Sequence, residues 1–282
     1  MREPAQSRAW LLATAALAAT TILAGCRAKA PPAPPAPAPV EVVPAPEAKP
    51  PLRDLQTLLA ALADADPATR AAAARDLGAL GERQAARPLI DALSDKDPQV
   101  RREAAAALGL LRDPLGTLPL AQVLQKDSSP EVRGAAAGAL ARISSRLAVD
   151  PLIEGLRDPQ PRVRAASADA LAVMGPMLRS GIRGEMGRGR AATALIDALK
   201  DDQAAVRIAA AKAIGAFREK RAVGALVALL ADGEARAAAI NALAAIGPRD
   251  AGAALAEAAQ NSPDEAVRAA ANKALANMAG RD

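Results

Sequence analysis

Few side chains in this chain can act as acids, bases or nucleophiles at neutral pH. The 282-residue sequence contains no His and no Tyr, and its single cysteine is Cys26. Metal sites built on His or Cys, and nucleophilic arrangements that pair Ser or Cys with His, need residues that this sequence lacks. We therefore predict no catalytic residue, no metal site and no cofactor, and we expect that the protein is not an enzyme.

Carboxylates are abundant, and adjacent pairs such as Asp201 and Asp202 have the chemistry for general acid–base catalysis. Both residues, however, lie where one helix is predicted to end and the next to begin. At such a position an Asp side chain accepts hydrogen bonds from the free backbone N–H groups of the following helix. We interpret the pair as helix caps, expect no small-molecule substrate, and conclude that binding is the chemistry that remains.

Arginine supplies the most distinctive candidate binding site. Residues 176–190 form an insertion with four Arg and one Glu, spaced by Gly and Ser, so this stretch holds much of the chain's net charge of +5. Guanidinium groups pair bidentately with carboxylate and phosphate. We predict a mobile loop that recognises an acidic protein surface or anionic lipid headgroups, with a functionless surface insertion as the alternative. The candidate residues are Arg179, Arg183, Arg188 and Arg190.

The elements that carry these residues repeat along the chain. Residues 87–109 show the pattern: an apolar helix, a restart signal at Asp97-Pro98, and a second helix that contains Val100 and Leu108. Asp accepts from free N–H groups at a helix start, and Pro fits the first helical position. Glycine readily adopts the left-handed conformation that ends a helix. We therefore predict a helical hairpin and expect Gly109 to end its second helix.

The Arg that follows the restart signal recurs at gaps of 31, 32, 31, 43, 29 and 32 residues. The seven positions are Arg70, Arg101, Arg133, Arg164, Arg207, Arg236 and Arg268. Seven residues after each of them stands a Leu or an Ile, and most residues between are Ala. A hairpin repeated at a near-constant period is typical of a stacked solenoid. The sequence thus predicts an all-α solenoid (superhelix) of about seven short hairpins over residues 52–282.

One column of the second helices is more polar than the others. It lies five residues after each repeated Arg, and we predict that it is exposed on the concave face and contacts a partner, with a merely solvated stripe as the alternative. Its polar members are Arg75, Asp169, Lys212, Asn241 and Lys273. Aromatic side chains supply many interface hot spots, and Phe217 is the only aromatic residue after Trp10. A protein partner is therefore expected to bring its own anchors.

The repeated units resemble HEAT repeats of the short kind found in phycobilisome-lyase HEAT-like proteins. The matching pattern is Leu-Ile-x-Ala-Leu, then Asp-x-Asp-Pro-x-Val-Arg, then Ala-Ala-x-Ala-Leu-Gly, and it covers about residues 52–282. The resemblance implies a protein-binding scaffold in which Asp and Arg of neighbouring units form a ladder, so that the seven Arg are structural. Similar HEAT enzymes, the deoxyhypusine hydroxylases, bind two irons through His–Glu pairs, and without His this chain cannot share that activity.

Two other functions are weighed as alternatives. One is a lyase-like or other enzyme subunit of the HEAT-like family, which the missing His and the commitment of Cys26 to another role both disfavour. The other is a basic nucleic-acid-binding solenoid, which the sequence pI of about 9.8 suggests. An export signal and the lack of aromatic stacking residues oppose nucleic-acid binding, and we expect none.

The N-terminal segment predicts export. An apolar run from Ala9 to Ala24 follows two Arg, is short for a membrane span and is typical of a secretory signal. It ends at Leu23-Ala24-Gly25-Cys26, which resembles the lipobox of bacterial lipoproteins. In that family the Cys receives a lipid and becomes the new N-terminus. We predict a signal peptide at 1–25 and lipidation of Cys26, with a non-lipidated signal as the alternative.

Residues 26–51 join the predicted lipid to the solenoid. The stretch is rich in Pro and Ala and predicts an extended tether that reaches about 75 Å, at about 3.1 Å per residue. Arg27 stands where an Asp would resemble an inner-membrane retention signal. We therefore expect a lipid anchor in the bacterial cell envelope, in the outer membrane facing the periplasm if the source is Gram-negative.

Overall fold

A computed structural model describes residues 54–179 and 182–279, with the backbone alone at 182–186. The predicted signal peptide, Cys26 and most of the tether lie outside these residues. Over the described ranges the protein is all-α, with fourteen α-helices and no strand. None of the described helices is both long and apolar enough to cross a bilayer. The helices are α1 (Leu55–Ala61), α2 (Pro67–Leu80), α3 (Ala86–Ala92), α4 (Pro98–Leu111), α5 (Thr117–Lys126), α6 (Pro130–Ile143), α7 (Val149–Gly155), α8 (Pro161–Leu178), α9 (Ile182–Ala198), α10 (Ala204–Phe217), α11 (Val223–Ala228), α12 (Arg236–Ile246), α13 (Pro248–Asn261) and α14 (Glu265–Ala279).

Consecutive helices pair into seven hairpins, and the second helix of each hairpin packs against the second helix of the next. The predicted restart signal is confirmed at the start of α4, where the Asp97 carboxylate accepts from the N–H groups of Gln99 and Val100 at 2.8 and 3.4 Å. Pro98 is the first residue of that helix, and α2, α6 and α8 also begin with Pro. The predicted all-α solenoid is therefore confirmed.

The core is a row of aliphatic side chains between the two helical layers. Six of the seven predicted Leu or Ile positions are fully buried: Leu77, Leu108, Leu140, Leu171, Ile214 and Leu243. Leu275, the seventh, is partly exposed, because no described unit packs beyond α14. Each hairpin thus completes the core of its neighbour, which is how short helices that are marginal alone become stable.

The prediction that Gly109 ends α4 is wrong. The helix continues to Leu111, and Arg112 adopts the left-handed conformation, with φ of 51°. A Cβ atom on Gly109 would lie 2.7 Å from Ala139 Cα, far inside van der Waals contact. The glycine is therefore needed for the close approach of α4 and α6. A left-handed glycine does end α2, where Gly81 has φ of 77°.

The described residues 176–178 and 182–190 of the insertion are helical, so the predicted loop is wrong for these residues. Helix α8 runs for 18 residues, compared with 14 in α4, and α9 begins at Ile182. Leu178 is almost fully buried, and a Cβ atom on Gly175 would lie 3.2 Å from Cδ1 of the fully buried Phe217. The inserted residues therefore pack at their start against α10, and they lengthen two helices at the edge of the solenoid.

Candidate functional site

Five of the seven repeated Arg bind an Asp of the following unit. Arg101 shows the geometry: its Nε and Nη2 donate to the two carboxylate oxygens of Asp127 at 2.7 and 2.9 Å. Its Nη1 donates to the carbonyls of Asp95 and Lys96 at 2.9 and 3.3 Å. The five pairs are Arg70–Asp95, Arg101–Asp127, Arg133–Asp158, Arg164–Asp201 and Arg207–Asp232, with Nε to carboxylate distances of 2.6–2.7 Å. The ladder that the resemblance implied is confirmed for these pairs.

The ladder ends after Asp232. Arg236 donates to the carbonyls of Leu230 and Ala231 at 2.6 and 3.3 Å, and Ser262 occupies the position that Asp holds in the earlier units. Within the described residues, Arg236 has no carboxylate partner in the following unit. Its guanidinium is therefore held by backbone oxygens, which makes it the natural comparison for the five paired arginines.

The ladder lowers the pKa of its carboxyl groups. Burial raises the pKa of Asp127, but hydrogen bonds from Arg101 and from the Ser129 N–H outweigh it and hold that pKa below its ordinary value. For Asp95 the hydrogen bond from Arg70 is the largest influence, and it lowers the pKa directly. These carboxylates are ionised at neutral pH, where a bidentate guanidinium partner stabilises the charge.

The carboxylate pair Asp201 and Asp202 belongs to the same ladder. Both bind Arg164, whose Nε lies 2.7 Å from Asp201 Oδ2 and whose Nη2 lies 2.9 Å from Asp202 Oδ1. Gln203 occupies the N-cap position of α10, so neither Asp is the cap residue, but Asp201 Oδ1 accepts from the Gln203 N–H at 2.9 Å in the turn before that helix. Both carboxylates are occupied by a structural arginine. No group of three or more Asp, Glu, Cys or His in the described residues is placed to hold a metal ion.

The polar column of the second helices is exposed, as the sequence predicts. All of its seven positions are solvent-exposed, from Arg75 on α2 to Lys273 on α14. Arg75 lies 3.5 Å from Glu103 of the next unit, and Asp169 occupies the middle of the row on α8. The column is therefore accessible to a partner, and its position on a concave face stays a prediction.

Two column residues, Lys212 and Asn241, line one cleft of about 480 Å³ between α10 and α12. Glu234 also lines it, and small or apolar residues form the rest: Ile208, Gly215, Ala216, Ala237, Ala238, Ala242 and Ala245. A Cβ atom on Gly215 would lie 3.0 Å from Ala242 Cα, so the two helices touch beneath the cleft. The alanines were missed because Ala is abundant everywhere in this chain and no motif marks these particular ones.

The arginines of the insertion do not form one mobile group. Arg179 Nη1 donates to the Ala216 carbonyl at 2.8 Å, and Arg190 Nη2 lies 3.0 Å from Asp150 Oδ1. The prediction that these side chains are mobile and unpaired is therefore wrong for both. The Nε of Arg188 is buried and has no hydrogen-bond partner among the described atoms. The side chain of Arg183 lies outside the described residues.

Glu219 is a buried acid that sequence reasoning missed. Its side chain is 7% exposed, and its carboxylate accepts from the Nε and the N–H of Arg221 at 2.9 and 3.2 Å. Burial raises the pKa of Glu219, but those hydrogen bonds and the positive charge of Arg188 hold it below its ordinary value. The residue sits in a run of charged residues that looks like any exposed turn, so the sequence carries no signal of its burial.

Comparison with known proteins identifies the family. A model described as HEAT repeats matches residues 55–116, 117–180 and 192–276, and the gap at 181–191 overlaps most of the insertion. No curated protein matches the chain. A designed armadillo repeat protein in complex with the peptide (KR)4 is 20% identical, with 80% of this chain and 100% of that one covered and a TM-score of 0.51.

Two natural assemblies also contain similar folds. A chain in the structure of Kap95p with RanGDP is 16% identical over 79% of this chain and 35% of its own, with a TM-score of 0.61. The CpcE–CpcF complex of phycocyanin lyase from Nostoc sp. is 24% identical over 79% and 81%, with a TM-score of 0.41. The family model that matches residues 55–116, 117–180 and 192–276 covers most of the sequence, and this chain therefore belongs to the HEAT-repeat family.

Proposed function

We propose that this protein is a lipid-anchored, non-enzymatic scaffold that binds a protein partner through the exposed face of its second helices. The observation that carries the proposal is the exposed polar column together with the cleft between α10 and α12, which contains Lys212 and Asn241. The accessible polar side chains can orient a bound segment, and the apolar cleft beside them can bury its apolar side chains.

The chemistry of the cleft favours a protein segment over a small molecule. Its alanines accept an apolar side chain of the partner, which supplies the anchor that this nearly aromatic-free chain lacks. The Asn241 amide can both donate to and accept from a peptide backbone. The column is more basic than acidic, with Arg75, Lys212 and Lys273 against Asp169, which favours an acidic partner. The armadillo design bound to a peptide supports the view that stacked helices can hold an extended segment.

The anchor part of the proposal rests on the sequence. Cys26 directly follows Leu23-Ala24-Gly25 at the end of the apolar run, and the Pro-rich tether separates it from the solenoid. This arrangement supports a proposed location in the cell envelope, at the outer membrane if the source is Gram-negative. Cys26→Ser should abolish lipidation and leave the protein soluble or as the precursor. An unmodified Cys26 in the wild-type membrane fraction, detected by mass spectrometry, would show that there is no lipid anchor.

Site-specific photo-crosslinking tests the binding face. A photoreactive side chain placed at Lys212 or at Asn241 should yield the same discrete protein adduct in intact cells. The matched control is Gln122, which is exposed on the first helix α5 and should yield no such adduct. Lys212→Ala with Asn241→Ala should reduce the adduct from a probe at Lys273. Adducts of equal yield from Gln122 would contradict the assignment of the face.

A further inference from the structure

A second surface lies along one edge of the solenoid. We define the basic edge as the turns that join α4 to α5, α6 to α7 and α10 to α11, the residues that flank them, and the neighbouring described residues Arg179 and 187–190. Its described charged residues are nine basic side chains, Arg112, Arg142, Arg146, Arg179, Arg188, Arg190, Arg218, Lys220 and Arg221, and three acidic ones, Asp113, Asp150 and Glu219. This excess exceeds the net charge of the whole chain, which is +5.

Side-chain contacts connect the parts of the basic edge that lie between α7 and α11. Arg179 bonds to the Ala216 carbonyl, which joins the end of α8 to the end of α10. Arg190 pairs with Asp150, which joins α9 to α7. The Nη2 of Arg221 donates to the Gly189 carbonyl at 3.4 Å, which joins the turn before α11 to α9. The end of α8 and residues 189 and 190 of α9 therefore belong to this edge.

The acids of the basic edge are already occupied. Glu219 is buried under Arg221, Asp150 pairs with Arg190, and the Asp113 carboxylate accepts from the Leu115 N–H at 2.9 Å. Four exposed cations of the edge have no carboxylate within salt-bridge distance among the described residues: Arg112, Arg142, Arg218 and Lys220. Their charge is thus available to an external anion.

Exposed leucines accompany these cations. Leu115 and Leu147 occupy equivalent positions in the turns before α5 and α7, and they are 58% and 64% exposed. Leu118, in the first turn of α5, is 65% exposed. Three of the five large hydrophobic side chains that are most exposed in the described residues therefore lie on the basic edge. The remaining two, Leu110 and Val173, lie on second helices.

We propose that the basic edge docks on an anionic lipid bilayer, with the arginines on headgroup phosphates and Leu115 and Leu147 in the interface. Guanidinium binds phosphate bidentately, and apolar side chains beside basic ones are the combination that holds a protein at a membrane surface. This surface is separate from the cleft of the proposed function, and docking does not require the lipid on Cys26.

The extent and composition of the edge favour a bilayer over an acidic protein. Successive second helices pack about 8–10 Å apart, so the edge presents its groups over about 30 Å from α4 to α10, and a broad anionic surface can contact groups spread over that distance. The edge offers no exposed aromatic side chain, because Phe217 is buried, whereas protein interfaces commonly rely on Tyr and Trp.

The test compares two quadruple variants of the full chain, each in a Cys26→Ser background. The basic-edge variant carries Arg112→Gln, Arg142→Gln, Arg218→Gln and Lys220→Gln. The control carries Lys96→Gln, Lys126→Gln, Arg157→Gln and Lys200→Gln, which are exposed residues beside the ladder Asp on the opposite edge. Both variants lose four positive charges and keep the ladder, so they differ only in where the charge is removed.

Flotation with vesicles of phosphatidylglycerol and phosphatidylcholine measures the docking. Flotation with pure phosphatidylcholine vesicles measures the binding that the N-terminal apolar run contributes by itself, and this value is subtracted. The basic-edge variant should lose about fivefold in affinity for each cation removed, from about 1 kcal/mol for each basic residue near an anionic surface. The control should lose far less, and added salt should weaken wild-type binding. Equal losses in the two variants would overturn the proposal.

A fluorescent label reports where the bilayer lies. Because Cys26 is the only cysteine, Leu147→Cys in the Cys26→Ser chain carries a single environment-sensitive dye, and Gln99→Cys on the opposite edge is the matched control. The dye at residue 147 should shift to the blue with anionic vesicles and not with neutral ones, while the dye at residue 99 should not respond. No shift at residue 147, or a shift only with soluble polyglutamate, would overturn the proposal, and the second result would assign the edge to an acidic protein.

Discussion

The two edges of this solenoid use the same residue, arginine, in opposite ways. On the edge between first and second helices of each unit, Arg70, Arg101, Arg133, Arg164 and Arg207 are largely buried, and each binds an Asp of the next unit. On the basic edge, Arg112, Arg142 and Arg218 are exposed and lack such partners in the described residues. We call the first of these the ladder edge.

This comparison indicates that the position of an arginine within the repeat determines whether it pairs with a carboxylate of the next unit. An Arg at the ladder register meets an Asp about 25 residues later because the next hairpin brings that Asp back to the same edge. The turns of the basic edge contain few described carboxylates, and Asp113, Asp150 and Glu219 already accept from other groups, so Arg112, Arg142 and Arg218 stay unpaired within the described residues. Pairing makes the ladder edge structural, and its absence leaves the basic edge free for binding.

The largest expected effect concerns the core that supports both edges. Leu108→Asp should lower the free energy of unfolding by several kcal/mol, because Leu108 is fully buried and an unpaired carboxylate there is costly. Neighbouring units should loosen as well, since each repeat is stable through its interfaces. Thermal melting followed by circular dichroism measures the change, and an unchanged melting temperature would contradict the stacked core.

The next effect separates the two edges directly. Arg101→Ala should destabilise the protein by about 2–4 kcal/mol, because it leaves the largely buried Asp127 carboxylate without its partner. Arg142→Ala is the matched change on the basic edge and should alter stability by less than about 0.5 kcal/mol. Urea unfolding of both variants gives the comparison. Equal losses would mean that the ladder contributes no more than an ordinary surface charge.

Acid should lower the free energy of unfolding through the carboxylates of the ladder edge. In the unfolded chain the ladder Asp residues take up protons near their ordinary pKa of 3.8, whereas in the folded protein they do so at lower pH. As the pH falls through and below that value, the unfolded state binds more protons, and the free energy of unfolding decreases. The contribution of the ladder is present above about pH 4 and is lost in acid.

Asp127→Asn gives the control for the acid prediction. The variant should be less stable at pH 7, and its free energy of unfolding should fall less steeply than that of the wild type between about pH 5 and about pH 2. Urea midpoints measured across this range report the slope. A slope identical to that of the wild type would show that Asp127 has the same pKa in the folded and unfolded chains.

The smallest effect extends the ladder by one pair. Ser262→Asp places a carboxylate at the ladder position that faces Arg236, whose guanidinium is held by backbone carbonyls alone. We expect a gain of up to about 1 kcal/mol, typical of one added hydrogen-bonded pair. The same substitution combined with Arg236→Ala should lose the gain. A gain that persists in the double variant would have another origin, such as capping of α14.

Much of the fold was predictable because the same local sequence patterns recur in several repeats. Asp97-Pro98 predicted the start of α4, and the aliphatic residue seven positions after each repeated Arg predicted the core. The exposed column was predictable for the same reason, since one polar position recurs in register. The position of the insertion was also visible in the period, where one gap is 43 residues and the others are 29 to 32.

What the sequence determined by itself is therefore the periodic part: an all-α solenoid, its core, and the register at which Asp and Arg can meet. Tertiary packing alone decided the local exceptions. Gly109 allows a close approach to Ala139 that no local pattern predicts, and residues 176–178 continue α8, with Gly175 packed against Phe217 of α10 and Leu178 buried. Glu219 and the basic edge likewise depend on which turns the stacking brings together. The physical reason is that periodic patterns encode local conformation, whereas burial and charge depend on neighbours distant in the chain.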